Sequence, residues 1–381
     1  MSRRRAPLPT RSRRALRPRA GRPLRIGYVS PDFRQHAVCS FFEPLLRNHD
    51  PEFVSPILYS NAARHDQASG RLRAASVGWR EIVDLNDEQA ADLIEQDGID
   101  ILVDLAGYTV GNRMGAFHLR PAPLQVNYLA TTGLAQMDYR FTGEDCDPLG
   151  ETDAVYSERL VRLPGGFYAW NPPADAPPVA RPPALANGFI TFGSFNTLSK
   201  ITEDVVDLWS RLLREVPGSR LVLQAGSLGN DWMRARTLAR FIVRGIDPAR
   251  LDLLGGMSLF EHLDVCGRID VALDPFPWGG HTTTCTALFM GAPVVTLRGR
   301  RMASRMSASV LHRMGLDAWI AETPAQYLDI ARRLALDVDL RAELRSMQRA
   351  ALLASDLTDG HRLARVVEAA YQALWDHHAG M

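Results

Sequence analysis

The sequence predicts an α/β fold in which two Rossmann-like domains face each other across a cleft. The chain has 381 residues, which is beyond the size at which one hydrophobic core usually stops growing. Short apolar runs alternate with amphipathic stretches in two separate series, a pattern typical of parallel sheets covered by helices. A proline-rich segment, residues 171–188, separates the two series. Length, alternation and this segment together predict two domains.

The predicted strands of the first domain, residues 23–170, are apolar runs bounded by turn residues. They cover residues 24–30, 54–60, 101–105, 125–130 and 160–163. Amphipathic stretches such as residues 87–96 lie between them and predict helices with one buried face. Runs without polar alternation are typical of parallel strands buried on both faces, so we expect a doubly wound sheet.

The second domain, residues 189–358, repeats this pattern. Its predicted strands cover residues 189–195, 220–225, 251–254, 270–275 and 293–297, and its predicted helices cover residues 203–215, 232–243, 259–267, 283–290, 303–314, 324–335 and 339–354. Six prolines within residues 171–188 disfavour helix and central strand, so we expect an extended linker there. Residues 359–381 predict a C-terminal helix.

The composition is that of an ordinary globular protein, with 46% hydrophobic and 23% charged residues. A net charge of +1 provides no global field for binding nucleic acid. No apolar run approaches the roughly 20 residues that a membrane helix needs. The basic residues 1–22 lack the apolar segment of a secretory signal, and we expect them to form a disordered tail.

The four cysteines lie far apart and include no C-x-x-C pair. They are Cys39, Cys146, Cys266 and Cys285. This spacing argues against a disulfide framework and against a structural zinc site, so we expect no bound metal. It is typical of a reducing compartment and predicts a cytoplasmic location.

Lys200 is the only lysine among 44 lysine and arginine residues. Genomic base composition explains the general preference for arginine, and under that explanation Lys200 is a chance survivor. The alternative is a site that needs a compact ammonium group, which acts as a point charge on phosphate.

Lys200 lies in the segment GSFNTLSKITEDV, residues 193–205. A strand is expected to end near Phe195 and a helix to begin near Ile201. Lys200 and Asn196 therefore belong to a polar loop before a helix N-terminus, where backbone N–H groups and the helix dipole favour an anion. The alternative is a capped loop whose lysine points into water.

A second segment, LDPFPWGGHTTTCTALFMGAPVVTL, covers residues 273–297. Its prolines and glycines make a rigid loop, after which His281, Thr282, Thr283 and Thr284 enter a helix. Hydroxyl groups and unpaired N–H groups at one helix N-terminus predict a cradle for a diphosphate. A plain threonine N-cap is the alternative, but it needs only one hydroxyl. The glycines favour binding because they let a ligand approach the backbone closely.

Three further polar residues are weaker candidates. His36 follows the first strand and is expected at the sheet edge that faces the cleft, or else on the surface. His262 begins a helix and either contacts a nucleotide base or lies on the surface. Arg305 is either a cation beside phosphate or part of a surface salt bridge. The common dinucleotide, P-loop, serine-hydrolase and zinc-protease motifs are absent from the sequence.

Several blocks resemble, in the same order, the catalytic region of the O-linked N-acetylglucosamine transferases and the related SPINDLY proteins, glycosyltransferase family 41. They are LRIGYVSPDF, LRPAPLQVNYL, ITFGSFNTLSKIT, the HTTT segment with its GAPVVTL continuation, and MASRMSAS. They extend from residue 24 to residue 311, with looser similarity beyond. Several blocks in one order form a more specific signal than any single short motif.

The resemblance implies a two-domain fold of the GT-B type. It also implies a metal-independent, inverting transfer of a sugar to a Ser or Thr hydroxyl. On this resemblance Lys200 holds the donor diphosphate, Thr282 and Thr283 contact it, and His262 binds the base. The expected partners are a nucleotide-sugar donor and a protein or peptide acceptor, and no cofactor is expected.

The resemblance also places His281 beside the donor sugar and makes His36 a histidine on the catalytic side of the first domain. Lys200 and His36 are therefore the predicted catalytic residues. A departing diphosphate needs stabilisation, which an ammonium and helix N-termini can supply without a metal. An acceptor hydroxyl needs a proton acceptor, and His36 is the candidate.

The chain departs from the family pattern in three ways. Thr286 stands where the family usually carries an acidic residue that holds the ribose. The loop after Leu129 reads ATTGLAQMDY, which is shorter than usual and lacks the Gly-Tyr-Pro tripeptide. The sequence also contains none of the tetratricopeptide repeats that usually precede this region, so we expect a separate repeat protein to take part in acceptor choice.

Alternative functions remain open on the sequence alone. His281 favours UDP-N-acetylglucosamine as the donor, whereas the T-T-T-C run after it is that of SPINDLY proteins and leaves GDP-fucose open. A catalytically inert binding protein with the same fold is consistent with Thr286 and the short loop. Nucleic-acid binding through the arginine-rich tail is the least favoured alternative.

Overall fold

The computed structural model describes residues 14–16, 19 and 21–380. These residues form two compact units. Unit 1 contains the described residues up to Asn171 and those from Asp359 onward, and unit 2 contains Pro172–Thr358. Most of the predicted disordered tail, residues 1–22, lies outside the described residues. From its described part, Arg22 forms an ion pair with Asp100 at 2.6 Å.

Within the described residues, unit 1 is built on a parallel sheet of seven strands. They are β1 (Leu24–Ser30), β2 (Val54–Ser60), β3 (Gly78–Glu81), β4 (Ile101–Asp104), β5 (Leu124–Asn127), β6 (Tyr139–Thr142) and β7 (Arg159–Arg162). Their order across the sheet is β3-β2-β1-β4-β5-β6-β7. The direction of winding reverses between β1 and β4, so the carboxyl ends of these two strands lie side by side.

Four helices of unit 1 connect these strands in the described part of the chain. They are α1 (Ala37–Arg47), α2 (Gln67–Ala74), α3 (Asp87–Gln96) and α4 (Met114–His118). Side-chain caps define where they begin: Asp66 and Asn86 form capping boxes at α2 and α3, and His36 caps α1. Helix α1 contains Pro44, a residue that disfavours helix interiors, and is held by its buried apolar face.

Unit 2 is built on a second parallel sheet, with six strands in the described structure. They are β8 (Thr191–Ser194), β9 (Arg220–Gln224), β10 (Leu251–Leu254), β11 (Val271–Leu273), β12 (Val294–Leu297) and β13 (Ile320–Ala321). Their order is β10-β9-β8-β11-β12-β13, and the winding reverses between β8 and β11. Open α/β sheets bind ligands at such a reversal, beyond the carboxyl ends of the strands.

Most helices of unit 2 alternate with the strands along the chain. The helices are α5 (Ala184–Asn187), α6 (Glu203–Glu215), α7 (Asp231–Ile242), α8 (Leu259–Gly267), α9 (Thr282–Phe289), α10 (Met306–Arg313), α11 (Pro324–Leu336) and α12 (Val338–Ala354). Helix α6 shows how they are built: Thr202 caps it, and its apolar face is buried.

The last helix, α13 (Gly360–Ala379), returns to unit 1 and packs against α1 and β1. The Tyr371 and Tyr28 hydroxyl groups lie 3.1 Å apart in the buried interface. Glu368 accepts a hydrogen bond from the backbone N–H of Asp50 and lies 3.0 Å from the His49 ring. These buried polar contacts fix the C-terminal helix to unit 1.

The structure differs from the sequence prediction in a few elements. A short helix, α5, lies inside the segment predicted as an extended linker. The prolines of this segment all lie within residues 172–183, so they do not prevent a helix in the residues that follow. The sequence pattern does not predict strands β3, β6 and β13. Strand β6 contains Arg140, and a charged residue is usually expected on the surface. In the fold, however, Arg140 is buried, with 1% of its surface exposed. The predicted helix 303–314 is a 3-10 turn, Met302–Ser304, followed by α10.

Among the described residues, no helix combines the length and the apolar character that crossing a membrane requires. In the same part of the chain, no group of three or more His, Cys, Asp or Glu side chains is arranged to hold a metal ion.

Candidate functional site

The polar loops that follow β8 and β11 meet at the winding reversal of unit 2. The first loop carries Asn196 and Lys200, and the second leads from Asp274 to Thr283. A small pocket at the ends of the two strands is lined by Asn196, Asp274, Thr283 and Thr284, together with Gly193 and Ser194 of β8. The structure therefore brings both predicted segments to one place.

Lys200 ends a 3-10 turn, Leu198–Lys200, two residues before α6 begins. Its ammonium donates one hydrogen bond of 2.7 Å to the carbonyl oxygen of Gly279 and another of 3.3 Å to Oδ1 of Asn196. Burial lowers the pKa of Lys200, and the nearby carboxylate of Asp274 opposes that shift. The side chain does not point into water, so the capped-loop alternative for Lys200 is wrong.

Asn196 connects the two loops. It is 6% exposed, and its Oδ1 accepts hydrogen bonds from both Lys200 and the Thr283 hydroxyl, each 3.3 Å long. One amide oxygen thus fixes the ammonium beside the first turn of α9. Cation and helix N-terminus are the two features that bind a phosphate group.

Asp274 fixes the backbone of the second loop through hydrogen bonds to its carboxylate. Its Oδ1 accepts from the N–H of Gly280 at 2.6 Å, and its Oδ2 accepts from the Thr296 hydroxyl at 2.8 Å. Complete burial raises the pKa of Asp274, and these hydrogen bonds oppose the rise. A Cβ at position 279 would lie 2.7 Å from Oδ2 of Asp274, so Gly279 is needed for this close approach.

The threonines at the start of α9 are not equivalent. Thr282 and Thr283 are half-buried, whereas the Thr284 hydroxyl is buried and lies 2.8 Å from Oγ of Ser307. The Thr286 hydroxyl donates to the carbonyl oxygen of Thr282 at 2.8 Å. The hydroxyls of Thr282 and Thr283 are therefore on the more exposed residues of this turn, and ligand binding by Thr282, Thr283 and Thr284 stays a prediction.

No side chain caps α9, whose N-cap residue in the described structure is His281. The plain threonine cap considered from the sequence is therefore absent at this described helix end, and its first backbone N–H groups remain for other partners. Burial lowers the pKa of His281 well below its ordinary value, and Arg313 and Lys200 lower it further. The imidazole is neutral at physiological pH, which suits hydrogen bonding to an uncharged sugar.

His262 lies in the first half of α8 and belongs to the same unit. Its Nδ1 is 3.2 Å from Oε1 of Gln224 at the end of β9, and its ring meets Phe195 edge to face at 5.4 Å between centroids. Burial lowers its pKa, so the ring is neutral. A neutral ring beside the loop after β8 is suited to contact a nucleotide base, as the resemblance implies.

Arg305 precedes α10, and its Nε donates to the carbonyl oxygen of Gly299 at 2.9 Å. This contact shapes the loop after β12. This hydrogen bond tests neither the phosphate contact nor the surface salt bridge that the sequence suggests for Arg305. The binding role of Arg305 therefore stays a prediction.

His36 lies in unit 1, at the end of the loop after β1. Its Nδ1 accepts a hydrogen bond of 3.3 Å from the N–H of Val38 and lies 3.6 Å from Oδ2 of Asp32. Burial lowers the pKa of His36, Asp32 raises it, and Arg34 lowers it again. The structure thus places this histidine at the winding reversal of the first sheet, and its catalytic role is untested.

Asp104 ends β4 at the same reversal and was not singled out by the sequence. Its carboxylate accepts hydrogen bonds from the N–H groups of Ala106 and Gly107 and from the Asn127 side chain, at 3.1, 2.8 and 2.8 Å. Burial raises the pKa of Asp104 to about 6. The available signal was an acidic residue at the end of an otherwise apolar strand.

Comparison with known proteins shows which family the sequence resembles and does not bear on the roles of single residues. The profile of Glycosyl transferase family 41 matches residues 9–171 and 181–366. A rice protein named probable UDP-N-acetylglucosamine–peptide N-acetylglucosaminyltransferase SPINDLY is 39% identical over 364 residues, which cover 93% of this chain and 39% of the rice protein. The Arabidopsis thaliana protein of the same description named SEC is 31% identical and is covered to 37%.

A solved structure agrees with this assignment. The O-GlcNAc transferase of Thermobaculum terrenum has 39% sequence identity and a TM-score of 0.89, over 98% of this chain and 71% of that chain. The predicted GT-B fold with two Rossmann-like domains is confirmed by this match. The chain spans about two fifths of the length of the curated relatives it matches.

Proposed function

Because the chain belongs to glycosyltransferase family 41, we propose that it transfers N-acetylglucosamine from UDP-N-acetylglucosamine to a Ser or Thr hydroxyl of a protein or peptide. The observation that carries the proposal is the Asn196 oxygen, which joins the Lys200 ammonium to Thr283 at the first turn of α9. The names of the relatives, which describe UDP-N-acetylglucosamine–peptide transferases, support the choice of donor and acceptor.

Transfer breaks the bond between the sugar and the diphosphate, and negative charge develops on the diphosphate oxygens. Lys200 supplies a positive charge at this point, and the unpaired N–H groups of α9 supply the positive end of a helix dipole. Both are held in place before the donor binds. We therefore assign to Lys200, Thr282 and Thr283 the stabilisation of the leaving diphosphate, in a reaction that needs no metal ion.

The other donor groups are assigned by position in unit 2. His262 contacts the base and neutral His281 contacts the sugar. Thr286 brings no carboxylate to the ribose, and its hydroxyl donates to the carbonyl oxygen of Thr282. This supports a donor site in which the ribose is held by groups other than an acidic residue on α9.

His36 is the proton acceptor for the acceptor hydroxyl in this proposal. Its lowered pKa leaves the ring neutral at physiological pH, and its hydrogen bond from Val38 orients Nδ1. That orientation leaves Nε2 as the nitrogen available to an acceptor hydroxyl or a bridging water. Attack from the side opposite the diphosphate gives inversion at the anomeric carbon.

The region shared with this chain is about two fifths of the length of the curated relatives. A separate repeat protein that brings acceptors to the enzyme is part of this proposal. A cytoplasmic location fits the four cysteines, which are buried thiols in the described structure.

The test is a titration followed by an activity assay. Isothermal titration calorimetry with UDP and with GDP identifies the nucleotide, and we expect UDP to bind more tightly. Purified protein incubated with UDP-N-acetylglucosamine is then expected to release UDP, with Lys200→Ala as the inactive control. Tighter binding of GDP would favour GDP-fucose as the donor, and equal background release by both proteins would favour the inert binding protein.

A further inference from the structure

We propose that Trp278 is a positioning residue of the donor site, whose indole ring holds the Lys200 ammonium in place for the donor diphosphate. This inference rests on the proposed function and adds to it a residue that the sequence pattern did not single out. It concerns the contact between one exposed aromatic ring and one half-buried cation.

The geometry of the contact is the first observation. Nζ of Lys200 lies 5.1 Å from the centroid of the Trp278 ring, within the range of a cation–π interaction. The same Nζ donates a hydrogen bond of 2.7 Å to the carbonyl oxygen of Gly279, the next residue along. Two consecutive residues of one loop therefore contact the ammonium.

The loop that carries Trp278 is fixed by its backbone. The N–H of Gly279 donates to the carbonyl oxygen of Ala303 at 3.0 Å. The carbonyl oxygen of Gly280 accepts from the Ser307 hydroxyl at 2.9 Å, and its N–H donates to Asp274. The backbone that follows Trp278 is thus held by these hydrogen bonds.

Exposure of the ring is the second observation. Trp278 is 57% exposed, so it contributes little to the packing of the core. A large aromatic side chain beside a phosphate-binding loop therefore needs another explanation. Contact with Lys200 provides one, because the ring face excludes water from one side of the ammonium. An ammonium that is less screened by water attracts a phosphate group more strongly.

The chain contains a matched control in the same unit. Trp232, on α7, is 63% exposed and has the guanidinium carbon of Arg236 5.2 Å from its ring centroid. Exposure and cation distance are therefore nearly those of Trp278, but Trp232 belongs to neither of the loops that follow β8 and β11. Substitution of Trp232 removes a similar contact without touching the Lys200 environment.

The first experiment reads the contact directly and does not depend on activity. Protein produced with ¹³C-lysine gives one lysine Cε–Hε correlation in an NMR spectrum, because Lys200 is the only lysine. The indole ring current is expected to move this correlation upfield. The upfield shift should persist in Trp278→Phe and Trp232→Leu and be lost in Trp278→Leu. An unchanged shift in Trp278→Leu would overturn the proposed contact.

The second experiment measures UDP affinity by isothermal titration calorimetry in the same proteins. Trp278→Leu is expected to bind UDP about fivefold more weakly, and Trp278→Phe within about twofold of the wild type. Trp232→Leu should bind as the wild type does. Circular dichroism confirms that each variant is folded.

The outcomes separate the two proposals. If the wild type binds UDP and Trp278→Leu binds it equally well, the assignment of Trp278 is wrong and the proposed function stands. If the wild type binds neither UDP nor GDP, the proposed function and the role of Trp278 toward the donor both fail.

Discussion

The ammonium nitrogen of Lys200 donates a hydrogen bond to the carbonyl oxygen of Gly279 at 2.7 Å, across 79 positions of the chain. This bond joins the loop after β8 to the loop after β11, at the winding reversal of the sheet in unit 2. The cation is therefore in place before a ligand arrives. A site that is organised in advance loses less free energy in binding an anion than one that must fold around it.

Lys200→Ala is expected to lower the turnover number by about 10²- to 10³-fold, as the loss of one group that stabilises a developing anion does. Lys200→Arg is expected to remain at least about tenfold below the wild type, because a planar guanidinium does not fit where a point charge contacts Gly279 and Asn196. Steady-state release of UDP from UDP-N-acetylglucosamine measures both. Wild-type turnover in Lys200→Arg would mean that the lone lysine is an accident of base composition.

Thr283→Ala and Thr286→Ala form a matched pair on one helix. The Thr283 hydroxyl lies at the pocket and bonds Asn196, whereas the Thr286 hydroxyl is bonded to the backbone of α9. We expect UDP to bind about three- to tenfold more weakly to Thr283→Ala, the cost of about one hydrogen bond, and within about twofold of the wild type to Thr286→Ala. Calorimetry gives both dissociation constants. The reverse order of effects would contradict the assigned roles.

The pH dependence of transfer tests His36. Because its pKa lies below the ordinary value, His36 is neutral at pH 7 and loses its capacity to accept a proton only as the pH falls through that lowered pKa. The acid limb of kcat/KM is therefore expected to have its midpoint below pH 6.5. Asp32→Asn removes the carboxylate that raises this pKa, so it should move the midpoint to still lower pH. A shift toward higher pH in Asp32→Asn would rule out His36 as the titrating base.

Asp104 makes stability depend on pH in the opposite direction from an ordinary surface carboxylate. Its pKa in the folded chain is about 6, above the ordinary value of 3.8, so the folded state binds the proton more tightly than the unfolded state. The associated stability is present at low pH and is lost as the pH rises through about 6.

Relative to Asp104→Asn, the free energy of unfolding of the wild type is expected to fall by up to about 3 kcal/mol between about pH 4 and about pH 7. Urea unfolding of both proteins at several pH values measures this difference. A difference that stays constant over the range would show that Asp104 does not titrate there.

Much of the fold follows from patterns within single segments. The bounds of β1, β2, β10, α3, α6 and α8 are those that the sequence predicts. Helix α1 cannot be predicted in this way because Pro44 interrupts its helical pattern. The helix is stabilised by packing against α13, which comes from the other end of the chain. Strand β6 cannot be predicted from its own segment, because the burial of Arg140 depends on the tertiary structure.

The candidate site was predictable in its parts but not in its contacts. Lys200 and the threonines were visible because their types and positions before helices indicate phosphate binding. Which threonine faces inward depends on Ser307, 23 positions beyond Thr284. The contact with Trp278 depends on how the loop after β11 folds back over Lys200, which no local pattern indicates.

The most direct test of the site is a titration of UDP into ¹³C-lysine-labelled protein, followed by NMR. Because the chain has one lysine, the single Cε–Hε correlation reports only on Lys200. We predict that this correlation shifts and saturates with the same dissociation constant that calorimetry gives for UDP. UDP binding without any movement of the Lys200 correlation would contradict the diphosphate site.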